Sequence, residues 1–576
     1  MKNILSFFKT EKLALGLALL AASINQIFSL LNPQVFGKII DDYASNISQF
    51  TEREFIVGVS ILLIIYIAFA LISRIAKAFQ DYLVSVVSEK IGTSLYANYV
   101  KKVFELPYKV FEDEQSGSLL QKMQKARDTT KNFITDLINI GFFSLIGIIF
   151  VLIYAVSVHP LIALVFVLAI PVISIVISYV GKGVKKAQEN IVRTSAELAA
   201  STTETLSNVG LVKSLGLENQ EINRLNEVNK KILDLEIKKV VILRRLSFIQ
   251  GTLVNTISSL IILVSMILIA QASISLGEFL TLWFYGFFVF GPLSQISILV
   301  SSYQESMASI QEVTKILQKQ VPNIQLRIGG GIKAEGISNI ALENLHFNYG
   351  NHETLSGINM NIQSGKTIAI VGRSGAGKST IIKLILGLYS PTSGEVRFNN
   401  ISTDDLDMTS IRENVGYVPQ DTQVFAGTIR ENLLFVSPHA SDEECIDALT
   451  KAQAQDILNR SADGLDTVLG EHGIKLSGGE RQRIAIARAL LRKPDVLIFD
   501  EASSSLDVKT EADITETIRH IREEYPHLIM IIIAHRLTTV KHADTIYVLK
   551  HGVISESGKH DELLEKKGLY YSLWQE

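Results

Sequence analysis

The sequence predicts a multidomain protein in which an all-α six-helix transmembrane domain with long cytoplasmic extensions is followed by a P-loop α/β domain. Three observations support this prediction. The first half contains six long apolar stretches, and the connections between them combine helical periodicity with many basic residues. The second half contains the run VGRSGAGKST between two apolar segments. At 576 residues, the chain is long enough to hold more than one domain.

Six apolar segments of the first half are long enough to cross a bilayer. A buried helix of a soluble core is the alternative for any one segment, but six in succession favour a membrane domain. No acidic or basic residue lies in the middle of a segment, so a proton relay or ion path built on buried charge has no support. The predicted spans are residues 13–36, 55–73, 137–158, 161–181, 246–269 and 279–301.

The basic residues predict how these spans are oriented. The connections that follow the second and fourth spans are rich in lysine and arginine, whereas the opposite loops hold only Lys38 and Arg53. Because basic loops remain on the cytoplasmic side, we expect a multi-pass protein of the cell inner (cytoplasmic) membrane. Both termini and the whole second half are then cytoplasmic, and the lipid bilayer is a partner.

The two basic connections are predicted to be helices that extend the spans into the cytoplasm. Residues 85–110 and 187–240 have helical periodicity, and polar turns near 112–118 and 203–219 interrupt the helices. A basic face that meets lipid headgroups is the alternative close to the bilayer. We therefore expect a transmembrane domain at 1–318, a Gly- and Pro-containing linker at 319–336 and a nucleotide-binding domain at 337–576.

Four amide side chains within the spans have two open interpretations. Asn25, Gln26, Asn255 and Gln295 either supply polar contacts in an apolar cavity or bond across neighbouring helices.

The charge and the cysteine content of the chain each exclude or disfavour a class of protein. The net charge of −3 gives no indication of a nucleic-acid partner, and a single cysteine, Cys445, excludes a disulfide framework.

The run at residues 371–380 has the strand, glycine-rich loop and helix order of a phosphate-binding P-loop. Its glycines allow backbone N–H groups to surround phosphates, and the following helix turns its positive end toward the same charge. Lys378 is expected to reach the β- and γ-phosphates, and Ser379 to ligate Mg²⁺. A chance glycine turn is the alternative, which the further motifs downstream disfavour. The expected nucleotide contacts here are Gly372, Ser374, Gly375, Gly377, Lys378, Ser379 and Thr380.

Two further motifs are expected to contact a nucleotide. LSGGERQR at 476–483 begins a helix, where Ser477, Gly478 and Gly479 present a hydroxyl and backbone amides to an anion. A simple capping turn is the alternative for this run. Tyr349, about twenty residues before the P-loop, is expected to stack on an adenine ring. An ordinary exposed tyrosine is the alternative there.

Catalytic side chains are predicted at the ends of apolar runs, and the continuous runs before Asp500 and His535 are typical of buried parallel strands. Asp500 ends the strand in VLIFDE and is expected to hold Mg²⁺, and Glu501 to polarise the attacking water. His535 ends a second strand and is expected to orient that water toward the γ-phosphate. Gln420, after a third strand, is expected to reach both Mg²⁺ and the water. Solvated surface charge and ordinary strand-end residues are the alternatives, which the preceding P-loop makes less favourable.

Together these motifs resemble the ATP-binding cassette superfamily, and the resemblance covers the whole chain. Six spans ahead of one cassette are similar to a bacterial half-size exporter of the multidrug and lipid-flippase type. The resemblance implies a P-loop α/β ATP-binding cassette with ATP and Mg²⁺ as cofactors, and a D-loop at 504–507 whose Asp507 contacts the nucleotide. Ser505 stands where alanine is commoner in that loop.

The resemblance also implies the working unit and the reaction. Two cassettes pair head to tail, so that each ATP lies between one P-loop and the partner's LSGGE, and hydrolysis drives alternating access. The partner is expected to be a second copy of the chain, because neither site lacks a motif residue, although a heterodimer stays open. The expected activity is ATP-driven export of amphiphilic or hydrophobic substrates, either drugs or lipids.

Other functions remain as alternatives. A peptide or bacteriocin exporter comes next, although only about a dozen residues precede the first span and many such exporters carry an N-terminal peptidase domain. A non-transporting cassette that regulates a partner protein is a different class. An importer is less favoured because importer membrane subunits are usually separate chains.

Overall fold

The computed structural model describes residues 11–113, 116–318, 331–350, 352–420, 422–460, 463–469, 476–500, 508–534 and 540–575. The chain divides into two compact units. The first comprises Met1–Phe104 and Ser116–Gln318, and the second comprises Glu105–Gln115 and Lys319–Glu576.

In its described residues the first unit consists of helices joined by short turns, without a strand. Two of its helices, α2 and α8, each have 53 residues, which corresponds to about 80 Å and exceeds the ~30 Å hydrocarbon core of a bilayer. The predicted helical extensions are therefore confirmed. The helices, with α3 assigned to the second unit, are α1 (Lys12–Lys38), α2 (Glu52–Phe104), α3 (Tyr108–Asp113), α4 (Ser116–Asp136), α5 (Phe143–Val158), α6 (Pro160–Ser207), α7 (Val209–Ser214), α8 (Glu218–Ala270) and α9 (Leu276–Leu317).

Four described helical stretches are long enough and apolar enough to cross a membrane. They are Lys12–Ala44, Glu52–Phe104, Leu119–Val158 and Glu218–Ala270. Two further helices carry shorter described apolar stretches, Pro160–Ile173 and Leu276–Pro292, where the fourth and sixth spans are predicted. The remainder of these two predicted spans includes side chains outside the described part of the structure.

Local sequence signals determine where these helices begin and end. Pro160 begins α6, and Nδ1 of His159 accepts a hydrogen bond from the backbone N–H of Leu161. Ser275 and Glu278 form a capping box at the start of α9. The helix predicted through residue 110 instead ends at Phe104, because Pro107 disfavours helical backbone before it and a separate helix, α3, begins at Tyr108.

The C-terminal end of α1 packs closely against the N-terminal end of α9. A side chain at Gly277 would collide with the carbonyl oxygen of Gly37 and with the carboxylate of Asp41. Asp41 accepts a hydrogen bond from the backbone N–H of Gly277 at 2.7 Å, and Thr281 donates to the carbonyl oxygen of Pro33 at 3.0 Å. Paired glycines therefore allow a close crossing that polar side chains then secure.

A buried amide network joins three segments of the first unit. Asn25 of α1 donates to Gln80 of α2 at 3.1 Å, and Gln80 donates to Asn139, in the π-helix Leu137–Phe142, at 2.8 Å. Ser73 donates to Asn25 at 2.9 Å. Of the two interpretations of Asn25, the structure therefore shows the bond across helices, which satisfies polar groups that an apolar surrounding would leave costly.

The described residues of the second unit form a mostly parallel sheet, an antiparallel sheet and the short two-stranded pair β7-β8. In its described residues the six-stranded sheet has the order β12-β11-β3-β10-β9-β6, and the four-stranded antiparallel sheet has the order β2-β1-β4-β5. The strands are β1 (Asn339–Tyr349), β2 (His352–Gln363), β3 (Thr367–Gly372), β4 (Ser393–Phe398), β5 (Ile401–Ser402), β6 (Val415–Val418), β7 (Gly427–Thr428), β8 (Val468–Leu469), β9 (Val496–Asp500), β10 (Ile529–Ile533), β11 (Thr545–Lys550) and β12 (Val553–Gly558).

The central strands of the six-stranded sheet are buried on both faces. One face packs against helices, and the other packs against the helix Lys378–Ile385 and the antiparallel sheet. Every residue of β9 and β10 is buried, which confirms the buried parallel strands predicted from their continuous apolar runs. Besides α3, the described α-helices of this unit are α10 (Lys378–Ile385), α11 (Met408–Glu413), α12 (Ile429–Leu434), α13 (Asp442–Lys451), α14 (Gln455–Asn459), α15 (Gly478–Leu491), α16 (Val508–Glu524), α17 (His560–Glu565) and α18 (Leu569–Gln575).

The glycine crossing of α1 and α9 generates a stability prediction. We expect Gly277→Ala to lower the free energy of unfolding by about 1–3 kcal/mol, because the added methyl group forces two backbones apart. Thermal unfolding of the detergent-purified protein measures the effect. Gly251→Ala in α8 is the matched control, since an added methyl group there meets nothing within 4 Å. Equal unfolding temperatures for the two variants would contradict the role of the crossing.

Candidate nucleotide-binding site

The site is built at one edge of the six-stranded sheet. Strands β11, β3, β10, β9 and β6 run parallel to one another, so their carboxyl ends meet at the same edge. The glycine-rich loop follows β3, Asp500 is the last residue of β9, and Gln420 lies two residues beyond β6. This edge is where ligands of open α/β sheets bind.

The glycine-rich loop depends on backbone conformations that favour glycine. Gly375 has φ of 79° and Gly377 has φ of 103°, both in the left-handed region. Gly377 also lies against β2, since a Cβ there would be 2.6 Å from Cδ2 of Leu355 and 3.2 Å from the carbonyl oxygen of Thr354. The loop therefore turns sharply into α10, whose N-terminal N–H groups favour an anion.

Lys378 is the first residue of α10, and its side chain reaches back across the glycine-rich loop. Its ammonium group donates to the carbonyl oxygen of Gly372 at 2.8 Å and to that of Arg373 at 3.2 Å, and the residue is only 4% exposed. A buried ammonium group needs such acceptors. It therefore lies within the loop predicted to surround the phosphates.

Ser379 and Asp500 bring suitable magnesium ligands together. The Ser379 hydroxyl donates to Oδ1 of Asp500 at 3.4 Å, and the hydroxyl of Tyr417 donates to Oδ2 of the same carboxylate at 3.1 Å. Hydroxyl and carboxylate oxygens are ligands that Mg²⁺ prefers. This part of the donor set therefore fits the predicted ion, whereas the metal contact of Gln420 stays a prediction.

Tyr417 is a donor at neutral pH. Burial of its hydroxyl, together with the neighbouring charge of Asp500, raises the pKa of Tyr417 above the ordinary value. The phenol, protonated at neutral pH even at its ordinary pKa, therefore donates a hydrogen bond to the carboxylate.

Aromatic rings cluster around Tyr349. The ring centroid of Tyr349 lies 4.8 Å from that of Phe347 and 5.4 Å from that of Tyr389. The ring centroid of Tyr389 lies 6.1 Å from that of Tyr108, in α3 of the same unit. Tyr349 pairs with His352 at the start of β2, the strand whose Leu355 adjoins the glycine-rich loop. Tyr349 is thus held on the hairpin next to the loop, and its stacking on adenine stays a prediction.

The LSGGE run caps α15. The hydroxyl of Ser477 accepts a hydrogen bond from the backbone N–H of Glu480 at 3.3 Å, and Glu480 accepts from the backbone N–H of Ser477 at 2.7 Å. Burial raises the pKa of Glu480, but hydrogen bonds from Arg460 and Ser477 outweigh it and hold the pKa below its usual value. The capping alternative is therefore observed. The role of Ser477, Gly478 and Gly479 in binding an anion stays a prediction. Capping is compatible with that role, since the capping hydroxyl can still donate a hydrogen bond.

Arg488 of α15 holds the segment that follows Gln420. Its guanidinium group donates to the carbonyl oxygens of Gln423 at 2.7 Å and Asn432 at 3.0 Å and lies 5.3 Å from the ring centroid of Phe425. Burial lowers the pKa of Arg488 from its ordinary high value. One side chain therefore connects the helix of the LSGGE run to the loop of Gln420.

Several predicted residues fall outside the described part of the structure. Glu501 and Asp507 lie in the segment 501–507, and His535 lies in the segment 535–539. The strands that precede them, β9 and β10, end at the same sheet edge as β3. The roles of these three residues stay predictions.

Three residues near the site are absent from the sequence-based prediction. Tyr417 and Tyr389 belong to no recognised motif. A tyrosine in or beside an apolar strand or helix fits any half-buried position, so the sequence does not mark these two. Arg488 is one basic residue among several in LSGGERQRIAIARALL, and only its contacts distinguish it. A search for polar side chains one or two residues before a strand end would have found Tyr417.

The fold and the site define a membrane protein with a nucleotide-binding domain, and comparison with known proteins identifies the class. The sequence model of the ABC transporter transmembrane region matches residues 15–293, and that of the ABC transporter matches residues 355–504. A solved structure of a bacterial Atm1-family ABC exporter with ATP bound is similar to this chain with a TM-score of 0.89 and 25% identity, over 98% of each chain.

Two relatives extend this comparison. The uncharacterized ABC transporter ATP-binding protein YwjA of Bacillus subtilis (strain 168) is 30% identical over 508 residues, 86% of each chain. The ATP-dependent lipid A-core flippase of Haemophilus influenzae (strain 86-028NP) is 30% identical over 585 residues, covering 98% of this chain and 94% of the relative. This chain belongs to the ABC transporters, as a half-transporter of the exporter type with an ATPase domain coupled to transport.

The glycine-rich loop generates a binding prediction. We expect Gly377→Ala to weaken ATP binding at least tenfold, because the methyl group strains the left-handed backbone and collides with Leu355 and Thr354. Equilibrium titration of the purified protein with ATP measures the change.

Gly464→Ala is the matched control for this variant. Gly464 also has a positive φ, of 54°, but an added methyl group there meets nothing within 4 Å. It should carry the backbone strain and keep ATP binding. If both variants bound ATP like the wild type, Gly377 would have no special part in the loop.

Proposed function

We propose that this ABC exporter moves amphiphilic or hydrophobic substrates, drugs or lipids, across the cytoplasmic membrane as a homodimer working by alternating access. The observation that carries the proposal is the fusion of apolar membrane helices to one cassette in which Lys378, Ser379 and Asp500 converge. The lipid A-core flippase among the relatives supports a lipid or lipid-like substrate. The chain's long apolar helices suit a substrate that partitions into the bilayer.

The dimer follows from the division of the nucleotide contacts in the proposal. The P-loop of one chain binds the triphosphate, and Ser477, Gly478 and Gly479 of the second chain close over the same nucleotide. The capped start of α15 supports this role, because the Ser477 hydroxyl accepts from Glu480 and keeps a proton to donate to phosphate. A heterodimer with a related chain is the second possibility for the partner.

The chain's own residues divide the work of hydrolysis. Lys378 turns from the loop carbonyl oxygens to the β- and γ-phosphates, and Tyr349 stacks on adenine. Glu501 polarises the attacking water, while His535 and Gln420 orient it toward the γ-phosphate. Asp507 contacts the nucleotide from the D-loop. Ser379, Asp500 and Gln420 would hold Mg²⁺, which supplies positive charge to the phosphate oxygens when bound.

Coupling to transport is assigned to the interruptions of the long helices, predicted near 112–118 and 203–219. Within the second unit, Tyr108 of α3 packs against Tyr389, which in turn contacts Tyr349. These contacts support a route by which a change at the nucleotide reaches α3. The proposed boundaries remain 1–318, 319–336 and 337–576, with both termini and the cassette in the cytoplasm, as the basic loops indicate.

Substitution of the proposed general base tests the mechanism. We expect Glu501→Gln to bind ATP normally but to hydrolyse it at least a hundredfold more slowly, because an amide cannot accept the proton of the attacking water. Steady-state phosphate release and ATP titration measure the two quantities. An unchanged hydrolysis rate would remove Glu501 from the role of general base.

Transport itself is tested in inside-out membrane vesicles. We expect ATP-dependent uptake of fluorescent amphiphiles by the wild type and none by Glu501→Gln, which is expected to bind ATP normally. Lipid-scrambling and peptide-uptake measurements on the same vesicles distinguish the substrate classes. ATP hydrolysis without movement of any of these substrates would contradict the export proposal and favour a regulator of a partner protein.

A further inference from the structure

Tyr417 reaches the end of β9 because of the register between two parallel strands. In that register Tyr417 of β6 lies opposite Ile498 of β9. Asp500 is two residues beyond Ile498 and therefore projects from the same face of the sheet. A long side chain from Tyr417 can thus extend past the strand end to the Asp500 carboxylate, and its hydroxyl lies 3.1 Å from Oδ2.

The Asp500 carboxylate is held from two sides. Ser379, in the first turn of α10, contacts Oδ1, and Tyr417, on a neighbouring strand, contacts Oδ2. Asp500 is 7% exposed, so water has little access to replace either contact. The two hydroxyl groups come from different elements, and together they define the plane of the carboxylate.

Such a contact matters because a carboxylate turns easily. The terminal torsion of aspartate is broad and roughly two-fold, so packing alone does not determine which oxygen faces a ligand. A hydrogen bond to one oxygen of a metal-binding carboxylate orients the other, and the loss of such a partner typically weakens metal binding by about 10- to 100-fold.

We propose that Tyr417 is a positioning residue for the metal of the nucleotide site. Its hydroxyl holds Oδ2 of Asp500, so that Oδ1, beside the Ser379 hydroxyl, is presented to Mg²⁺. This inference rests on the proposed function of Ser379 and Asp500 as metal ligands.

The arrangement of the ring supports positioning rather than packing. Tyr417 is 37% exposed, so more than a third of its surface stays accessible to water. Its hydroxyl, in contrast, makes a directed contact with the carboxylate of Asp500 at the end of β9. Removal of the hydroxyl alone should therefore change the metal dependence and leave the fold intact.

The test is Tyr417→Phe in the full-length purified protein. ATP affinity is measured by titration in Mg²⁺ and again in EDTA, and the ratio of the two affinities reports the contribution of the metal. We expect this ratio to fall about tenfold while the affinity in EDTA stays the same. In ATPase assays the Mg²⁺ concentration at half-maximal rate should rise, with the rate at saturating Mg²⁺ nearly retained.

Two further variants separate the possible outcomes. Tyr571→Phe removes a phenol that is bonded to Gln575 in the last helix, and it should behave like the wild type. Asp500→Asn tests the site itself, and it should abolish the enhancement of ATP affinity by Mg²⁺.

Each result supports or overturns a definite claim. If Asp500→Asn abolishes the enhancement and Tyr417→Phe leaves it unchanged or increases it, the inference about Tyr417 is wrong and the site assignment stands. Equal weakening of ATP binding in Mg²⁺ and in EDTA by Tyr417→Phe also overturns it, since that result indicates a structural role. If Asp500→Asn leaves the enhancement intact, the site assignment itself fails.

Discussion

The convergence of hydrogen-bond donors at one edge of the six-stranded sheet is the feature on which the second unit depends. Backbone N–H groups, a helix N-terminus and a lysine that meet at one point can hold several negative charges. The parallel sheet provides that point, because β3 delivers the glycine-rich loop and β9 delivers Asp500 to the same edge. The buried strands are thus the rigid frame for groups that lie on short loops.

The first unit is subject to a different constraint. Apolar surroundings offer no hydrogen-bond partners to polar groups, so these must find partners within the protein. Its helices satisfy their own backbone, and some of the polar side chains within them pair across helices, as Asn25 does with Gln80. The glycine crossing at Gly37 and Gly277 allows two backbones to approach closely. Close packing matters here because lipid is as apolar as the helix surface, so the hydrophobic effect does not drive helices together. Close packing and a few buried hydrogen bonds therefore hold this unit together.

Side chains without a motif connect the recognised motifs of the second unit. Arg488 ties the helix of the LSGGE run to the loop after Gln420, Tyr389 joins Tyr349 to Tyr108, and Tyr417 joins β6 to Asp500. Each connection crosses from one element to another that is distant in sequence. The motifs are therefore joined by packed and hydrogen-bonded contacts and do not lie on isolated loops.

The sequence by itself determined the class of the fold, the apolar segments and the P-loop, because these depend on local composition and on glycines at fixed spacing. It also indicated buried strands at β9 and β10 from their continuous apolar runs. The helix predicted through residue 110 overran the break at Phe104, for which Pro107 is a local signal. The sequence did not indicate which residue pairs with Asn25 or that Tyr417 contacts Asp500. Only the tertiary structure decided these, because hydrogen bonds between distant segments depend on strand register and helix packing, which no local pattern encodes.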